Sequence, residues 1–269
     1  MKKQVEESLE SLGVGKIPGE TMSLILGSGW GGFVDEMEVA WRRHYGDIAH
    51  FPRSSVPGHK GELVFGESEG KKVIVLNGRV HSYEGLSLAE TAYPVDVLAA
   101  LGCARIVITN AVGAVNEGYD VGDFMLIRDH INFMRENPLT GRNTPEQRDP
   151  FVDMKRAYAV EIYDAVAEKA EREGIRVHQG VLAAVSGPCY ETDAELEMFR
   201  RLGADVMSMS TVPEVILARY HRMKVAGVSL ITNLARPGAE PVSHEEVLDA
   251  ADSSREKMKT LLHLICANL

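Results

Sequence analysis

The 269-residue sequence predicts an α/β fold, with a mostly parallel sheet flanked by helices. Three observations lead there. Short apolar segments rich in β-branched residues alternate with longer segments of helical periodicity. Glycine, proline or asparagine marks the change from one to the next. The polar residues able to do chemistry fall mostly just after the predicted strands, where ligands bind in open α/β sheets. No repeat, low-complexity segment or linker divides the chain, so residues 1–269 read as one domain.

The elements follow in order. Val5, Leu9 and Leu12 recur at helical spacing over residues 2–13. Ser23–Leu26 is a brief strand that runs into the glycine-rich stretch Gly27-Ser28-Gly29-Trp30-Gly31-Gly32. Residues 51–61 form a Pro- and Gly-rich loop, and strands at 62–66 and 72–76 make a hairpin. A helix spans Leu86–Leu101, opened by the Ser87/Glu90 capping box and stopped by Gly102. Strands follow at 105–109 and 123–127. Residues 134–153, broken by Pro138, Gly141, Pro145 and Pro150, form a long irregular excursion of the kind usually tied to function. A long helix is expected over Met154–Glu173. Further strands are expected at 180–185, 205–209 and 225–231. Helices run from Thr192 or Asp193 to Leu202, from the Ser210/Thr211 cap onward, and over His244–Cys266.

The bulk numbers exclude several classes. Composition is ordinary for a soluble globular chain, at 45% hydrophobic and 25% charged residues. The 29 Lys and Arg against 39 Asp and Glu give a net charge of −10, the wrong sign for a general nucleic-acid binder. Cys103, Cys189 and Cys266 are isolated, which suggests a reducing compartment and no disulfide framework. The start MKKQVEESLE has no apolar core of signal length, and no apolar run is long enough to span a bilayer. A cytoplasmic protein is expected.

The stretch Asn77–Gly85 concentrates chemistry. Arg79, His81, Tyr83 and Glu84 fall within six residues, framed by Gly78 and Gly85. An arginine fork suits an oxyanion, and extended backbone would put Arg79, His81 and Tyr83 on one wall. Ser28, Ala111 through its N–H, Glu191, Met209, Ser210 and Asn233 also follow or end strands, so one cleft is expected to gather them. The glycine run formally matches GxGxxG. The segment Glu38–Gly46 after it carries Arg42, Arg43 and His44, which makes a poor buried strand, so a phosphate-cradling turn fits better than a dinucleotide site. No metal site is expected, because His44, His50, His59 and His81 form no i, i+4 pair and lie beside no cysteine. Leu26 stands where a GxSxG elbow needs glycine, and Cys189 has no neighbouring base. A phosphate-binding enzyme, a non-catalytic phosphate-sensing protein and a dinucleotide oxidoreductase are the readings open at this point.

Taken together, the motifs Gly27-Ser28-Gly29, Val56-Pro57-Gly58-His59, Gly78-Arg79-Val80-His81, Tyr83-Glu84-Gly85, Thr109-Asn110-Ala111, Gly187-Pro188 with Glu191-Thr192, Met209–Glu214, Ile231-Thr232-Asn233 and His244-Glu245-Glu246-Val247 carry a resemblance. The sequence resembles the trimeric, low-molecular-mass purine nucleoside phosphorylases over nearly its whole length. The resemblance implies a single α/β domain whose central mixed sheet includes a distorted barrel. It implies reversible phosphorolysis of purine ribonucleosides (inosine, guanosine and their 2′-deoxy forms) to free base and pentose 1-phosphate. Inorganic phosphate would be the co-substrate, with no metal or organic cofactor.

By the same resemblance, Ser28, Arg79, His81, the Ala111 N–H and Ser210 hold phosphate, with His59 near its entrance. Tyr83, Met209 and His244 meet the ribose, while Tyr190, Glu191 and Asn233 meet the base. Asn233, Glu191 and His81 would be the catalytic residues, and Phe151 would reach into a neighbouring subunit of a homotrimer. Two positions depart from the family pattern. Tyr190 stands where phenylalanine is common, and Ser208 replaces a glycine before Met209. Both bear on which bases are tolerated.

Overall fold

Each apolar run becomes a strand covered on both faces. In the computed structural model, residues 2–54, 60–142, 151–240 and 243–269 are described, with only the backbone of His244. The strands are β1 (Met22–Leu26), β2 (Glu38–His44), β3 (Glu62–Ser68), β4 (Lys71–Asn77), β5 (Arg105–Ala114), β6 (Phe124–Asn132), β7 (Val177–Ala184), β8 (Val206–Ser208) and β9 (Lys224–Leu234). The helices are α1 (Lys2–Leu12), α2 (Leu88–Leu101), α3 (Tyr163–Arg172), α4 (Asp193–Arg201), α5 (Val212–Tyr220), α6 (His244–Ser253) and α7 (Arg255–Asn268).

Alternation along the strands sorts the core into two layers. Leu24, Leu26, Val73, Val75, Val107, Phe124, Leu126, Val228 and Leu230 face one layer, where α3 and α7 contribute Tyr163, Val166, Leu261 and Ile265. Ile25, Ile74, Leu76, Ile106, Ile108, Met125, Ile127 and Ile231 face the other, with Leu12 of α1, Leu98 of α2 and Leu217 of α5. Strands buried on both sides need continuous apolar runs, which is why periodicity alone marks them poorly.

Among the described residues, nine strands join one sheet in the order β2-β3-β4-β1-β5-β8-β7-β6-β9, and β9 returns to pair with β5. The last five strands therefore close on themselves as the distorted barrel implied by the family resemblance. The sheet is mixed: β1 is parallel to β4 and β5, and β9 to β5, while β5–β8 and β6–β9 are antiparallel. The β3–β4 hairpin is as expected, and Glu69 and Gly70 at its turn both have positive φ. As read, Glu38–His44 is no buried parallel strand; β2 is an antiparallel edge strand, largely exposed.

Strand β5 decides where the site lies. One edge runs along β9 from Arg105 to Ala114. Its other edge pairs with β1 over Arg105–Ile108 and with β8 only at Gly113–Ala114. Between them, from Thr109 to Val112, no strand covers that edge. Side chains fill part of the gap. Thr109 Oγ1 donates to Ile25 O and accepts from Gly27 N, both at 3.0 Å, and Trp30 Nε1 donates to Asn110 O at 3.1 Å.

Two helices differ from expectation. The predicted helix over Met154–Glu173 begins only at Tyr163, after a 3₁₀ turn at Val160–Ile162. Its first residues are taken by tertiary partners: Ala159 N donates to Val225 O at 2.8 Å, and Tyr158 Oη bonds His130 Nδ1 at 2.9 Å. The predicted last helix breaks at Ser254 into α6 and α7. Strands β5 and β6 also run past their apolar segments, to Ala114 and Asn132.

Segment 133–142 is fastened to α2. Arg142 makes a bidentate pair with Asp96, both bonds at 2.8 Å, and His221 Nε2 meets Asp96 Oδ1 at 2.6 Å. Burial alone would raise the Asp96 pKa, but the hydrogen bonds from Arg142 and His221 outweigh it and hold the carboxyl below its ordinary value.

Candidate active site

The uncovered edge of β5 opens onto a cleft of about 390 Å³. Ser28, Arg79, His81, Tyr83, Ala111, Tyr190, Glu191, Met209, Ser210 and Asn233 all line it. The predicted convergence of strand ends is thus what the fold produces. Phe151 does not line it; in this single chain its side chain is 87% exposed. His59 lies outside the described residues, as does the His244 side chain.

Arg79 is set from behind. Its Nε donates to Glu214 Oε1 at 2.6 Å and its Nη1 to Thr109 O at 2.7 Å. Both side chains of this ion pair are almost wholly buried, at 2% and 5% exposure. The guanidinium is thus held by both the Glu214 carboxylate and the β5 backbone, so its plane is fixed rather than chosen by a ligand. Gly27 makes room for it. A Cβ there would lie 2.8 Å from Arg79 Nη1 and 2.8 Å from Thr109 O, so any side chain would collide with the backbone of β5.

β4 ends at Asn77, before Arg79; the backbone is extended at His81 and then turns through a 3₁₀ helix at Ser82–Glu84. Glu84 Oε1 accepts from His81 N at 2.7 Å and lies 3.4 Å from His81 Nδ1. The same imidazole lines the cleft. Tyr83 stacks on His81, with ring centroids 4.7 Å apart. Burial, helped by the Glu84 charge, pushes the Tyr83 phenol up to about 12, so it stays a neutral donor near neutral pH.

Ser210 stands on a strained turn. Thr211 has φ 77° and ψ −54°, a positive-φ γ-turn, and Val212 N closes it on Ser210 O at 2.9 Å. A β-branched residue in this region is a genuine outlier, of the sort that collects at functional sites. Thr211 is at the N-cap of α5 as expected but makes no capping bond with its side chain. Its hydroxyl instead accepts from Asn110 Nδ2 at 2.7 Å. Ser208 joins the same network: its Oγ accepts from Ser210 N at 3.3 Å and faces Ser210 Oγ at 3.4 Å. The serine that departs from the family pattern thus braces Ser210.

The remaining groups come from β7 and β9. Thr192 caps α4 with Glu195 as a capping box, which fixes the loop carrying Tyr190 and Glu191. Burial raises the Glu191 pKa above its ordinary value; its own backbone opposes this and the Glu195 charge adds to it. Thr232 Oγ1 donates to Asn233 Oδ1 at 3.2 Å, which leaves the Asn233 amide nitrogen as the donor. Gly113 keeps that nitrogen in place, since a Cβ there would come within 2.8 Å of Asn233 Nδ2 and of the Ala235 Cβ. Sequence reasoning missed Glu214, Thr211 and the Asn110 side chain. Their motifs were visible, but Glu214 is 135 residues from the arginine it holds.

A cleft of this build, on a barrel-containing mixed sheet, defines an α/β enzyme of the phosphorylase type. The model of the Phosphorylase superfamily matches residues 23–267. The chain is 43% identical to purine nucleoside phosphorylase 1 of Geobacillus stearothermophilus, over 92% of this chain and 91% of that one. It is 40% identical to the purine nucleoside phosphorylase of Bos taurus, over 92% and 89% of the two chains. A Schistosoma purine nucleoside phosphorylase, solved in complex with hypoxanthine, superposes with a TM-score of 0.89 at 34% identity, covering 99% of this chain and 97% of that one. The chain belongs to the purine nucleoside phosphorylase family.

The Arg79–Glu214 pair makes a stability prediction. Glu214→Ala leaves the guanidinium buried without its carboxylate and should cost about 3–5 kcal/mol. Glu214→Gln keeps an acceptor for Nε and should cost less. Denaturant unfolding of the two variants checks this, and an unchanged midpoint for Glu214→Ala would contradict it.

Proposed function

We propose that this protein catalyses reversible phosphorolysis of purine ribonucleosides and their 2′-deoxy forms, giving free base and (deoxy)ribose 1-phosphate. One observation carries the reading within the family: a single cleft joins an anion-ready set to a base-ready set. Arg79, His81, Ser28 and Ser210 form the first; Glu191, Asn233 and Tyr190 form the second. Inorganic phosphate is the co-substrate. The Ala111 N–H, on the uncovered edge of β5, adds a backbone donor, and His59 guards the approach.

The chemistry follows from these groups. A phosphate oxygen attacks C1′ as the C1′–N9 bond breaks, and the bonding pair leaves on the purine. Positive charge develops on the sugar, and the phosphate serves as nucleophile and counter-charge together. Holding it beneath C1′ removes much of the entropic barrier. His81 lies at the phosphate with its imidazole steadied by Glu84. Asn233 donates its amide toward N7 and O6, where negative charge grows, so the interaction strengthens in the transition state. Tyr83, Met209 and His244 position the ribose. No redox step or Lewis acid is needed for this sequence of bond changes, so the reaction runs without metal or organic cofactor.

The working particle is a homotrimer in the cytoplasm, with Phe151 of one subunit completing the nucleoside site of its neighbour. A phenylalanine 87% exposed in the single chain supports that placement. The deciding test is simple: inosine should yield hypoxanthine only when phosphate is present. Arg79→Ala should raise the phosphate KM strongly, and Arg79→Lys should rescue it in part. Base release at the same rate without phosphate would overturn the phosphorolysis. Phe151→Ala should raise the inosine KM more than it lowers Tm. A fully active monomer by light scattering at assay concentration would remove Phe151 from the site.

The base edge sets the substrate. Ionised Glu191 accepts from the N1–H of a 6-oxopurine and from the 2-amino group of guanine. Adenine offers N1 a lone pair instead and strands a buried carboxylate, a mismatch that can cost about 10⁴-fold. Inosine and guanosine should be good substrates and adenosine poor, and Glu191→Gln should narrow the gap. Because the Glu191 pKa is raised, its charged form is lost as pH falls through a value above the ordinary carboxylate range. The wild-type to Glu191→Gln ratio of kcat/KM for inosine, which cancels the ionisation of phosphate, should fall on that acid limb. A ratio flat with pH, or equal use of adenosine, would show that Glu191 does not read the base.

A further inference from the structure

The cleft at Asn233 lies near the C-terminal end of β9; a second concavity surrounds the strand's first residues, Lys224 and Val225. It measures about 330 Å³, and Arg128, Lys155, Arg156, Arg219 and Lys224 line it. Among the described residues, the one carboxylate lining it is Glu161. That balance is the reverse of a chain with net charge −10.

Lys224 is answered, with its Nζ 3.1 Å from Glu161 Oε1. Among the described residues, no carboxylate makes an ion pair with the other four cations. Arg219 gives Nη1 to Met223 O at 3.2 Å, while its Nε is buried with no hydrogen-bond partner. The backbone that presents Lys155 and Arg156 is fixed, because Tyr158 is buried and bonded to His130, and Ala159 N is bonded to Val225 O. The backbone thus brings these cations around one concavity, and their mutual repulsion is relieved when an anion sits among them.

We propose that this cleft binds the polyphosphate chain of a small molecule, either inorganic polyphosphate or a nucleoside di- or triphosphate. A lone phosphate group carries about −1.5 to −2, too little to answer four cations contributed by β6, the 155–156 turn and α5. The site is independent of the residues assigned to phosphorolysis.

Isothermal titration of the full chain with tripolyphosphate, in magnesium-free buffer of low ionic strength, tests it. One equivalent per subunit should bind, with affinity falling as salt rises. The double substitution Arg128→Ala with Arg156→Ala removes two exposed side chains and should weaken binding about tenfold or more. Thermal melting establishes that this variant is folded, and Lys155→Glu gives a second disabling change. Arg79→Ala should bind as wild type does. ATP binding more tightly than tripolyphosphate assigns the site to nucleotides, and equal binding assigns it to the phosphate chain alone; both support it. No binding at about 1 mM of either ligand overturns the proposal. So does binding that Arg79→Ala abolishes and the double substitution leaves intact.

Discussion

A β-strand has two edges, and β5 divides one of them between two partners. β1 leaves it after Ile108 and β8 joins only at Gly113. Most of what distinguishes this molecule follows from the interval between. The open β1-side sheet and the closed barrel meet there, so neither can be built without leaving backbone for something else to satisfy. Arg79 and Trp30 take carbonyls of Thr109 and Asn110, and the cleft takes the rest. A site formed this way belongs to the fold rather than being added to it by loops.

The polar floor is correspondingly expensive. Arg79 and Glu214 are an ion pair in a nearly dry setting, where desolvation of each charge offsets much of their attraction. Thr211 holds a backbone angle that few side chains accept. Neither feature is the cheapest way to fill space in an apolar barrel. What they provide is direction: the guanidinium plane and the Ser210 hydroxyl are set by covalent and hydrogen-bond geometry before any ligand arrives. The γ-turn also places the start of α5 beside the arginine, so Glu214 in its first turn reaches back to Arg79.

Much of this was legible in the sequence, because each local signal agreed with its tertiary setting. The capping box at Ser87 forms as read, Thr192 proves to be the cap of α4, and the residues after the strands do share one cleft. The failures have physical causes. Residues 154–159 carry helix-forming side chains, yet Tyr158 and Ala159 gain more from His130 and Val225 than from a helical turn. The ends of β5 and β6 were cut short because Asn110, Asp129 and His130 look like loop residues, whereas barrel strands carry such residues at the rim, beside bulges. The Asp252-Ser253-Ser254 trio before the break between α6 and α7 was a visible signal outweighed by the apolar period around it. The Thr211 turn and the Glu214 partnership depend on contacts that no window of sequence contains.

The barrel has a consequence at the far end of the sheet. Closing β9 onto β5 leaves β2 as the terminal strand with an open edge, among the described residues. That strand is short, largely exposed and carries Glu38, Arg42 and Arg43, with its pairing to β3 interrupted between Val39 and Trp41. Charge and irregularity of this kind discourage another strand from docking there. Copies of this chain are therefore not built to join by extending one sheet into the next. Side chains meeting face to face can instead select a partner by shape and chemistry in a way that a bare backbone edge cannot.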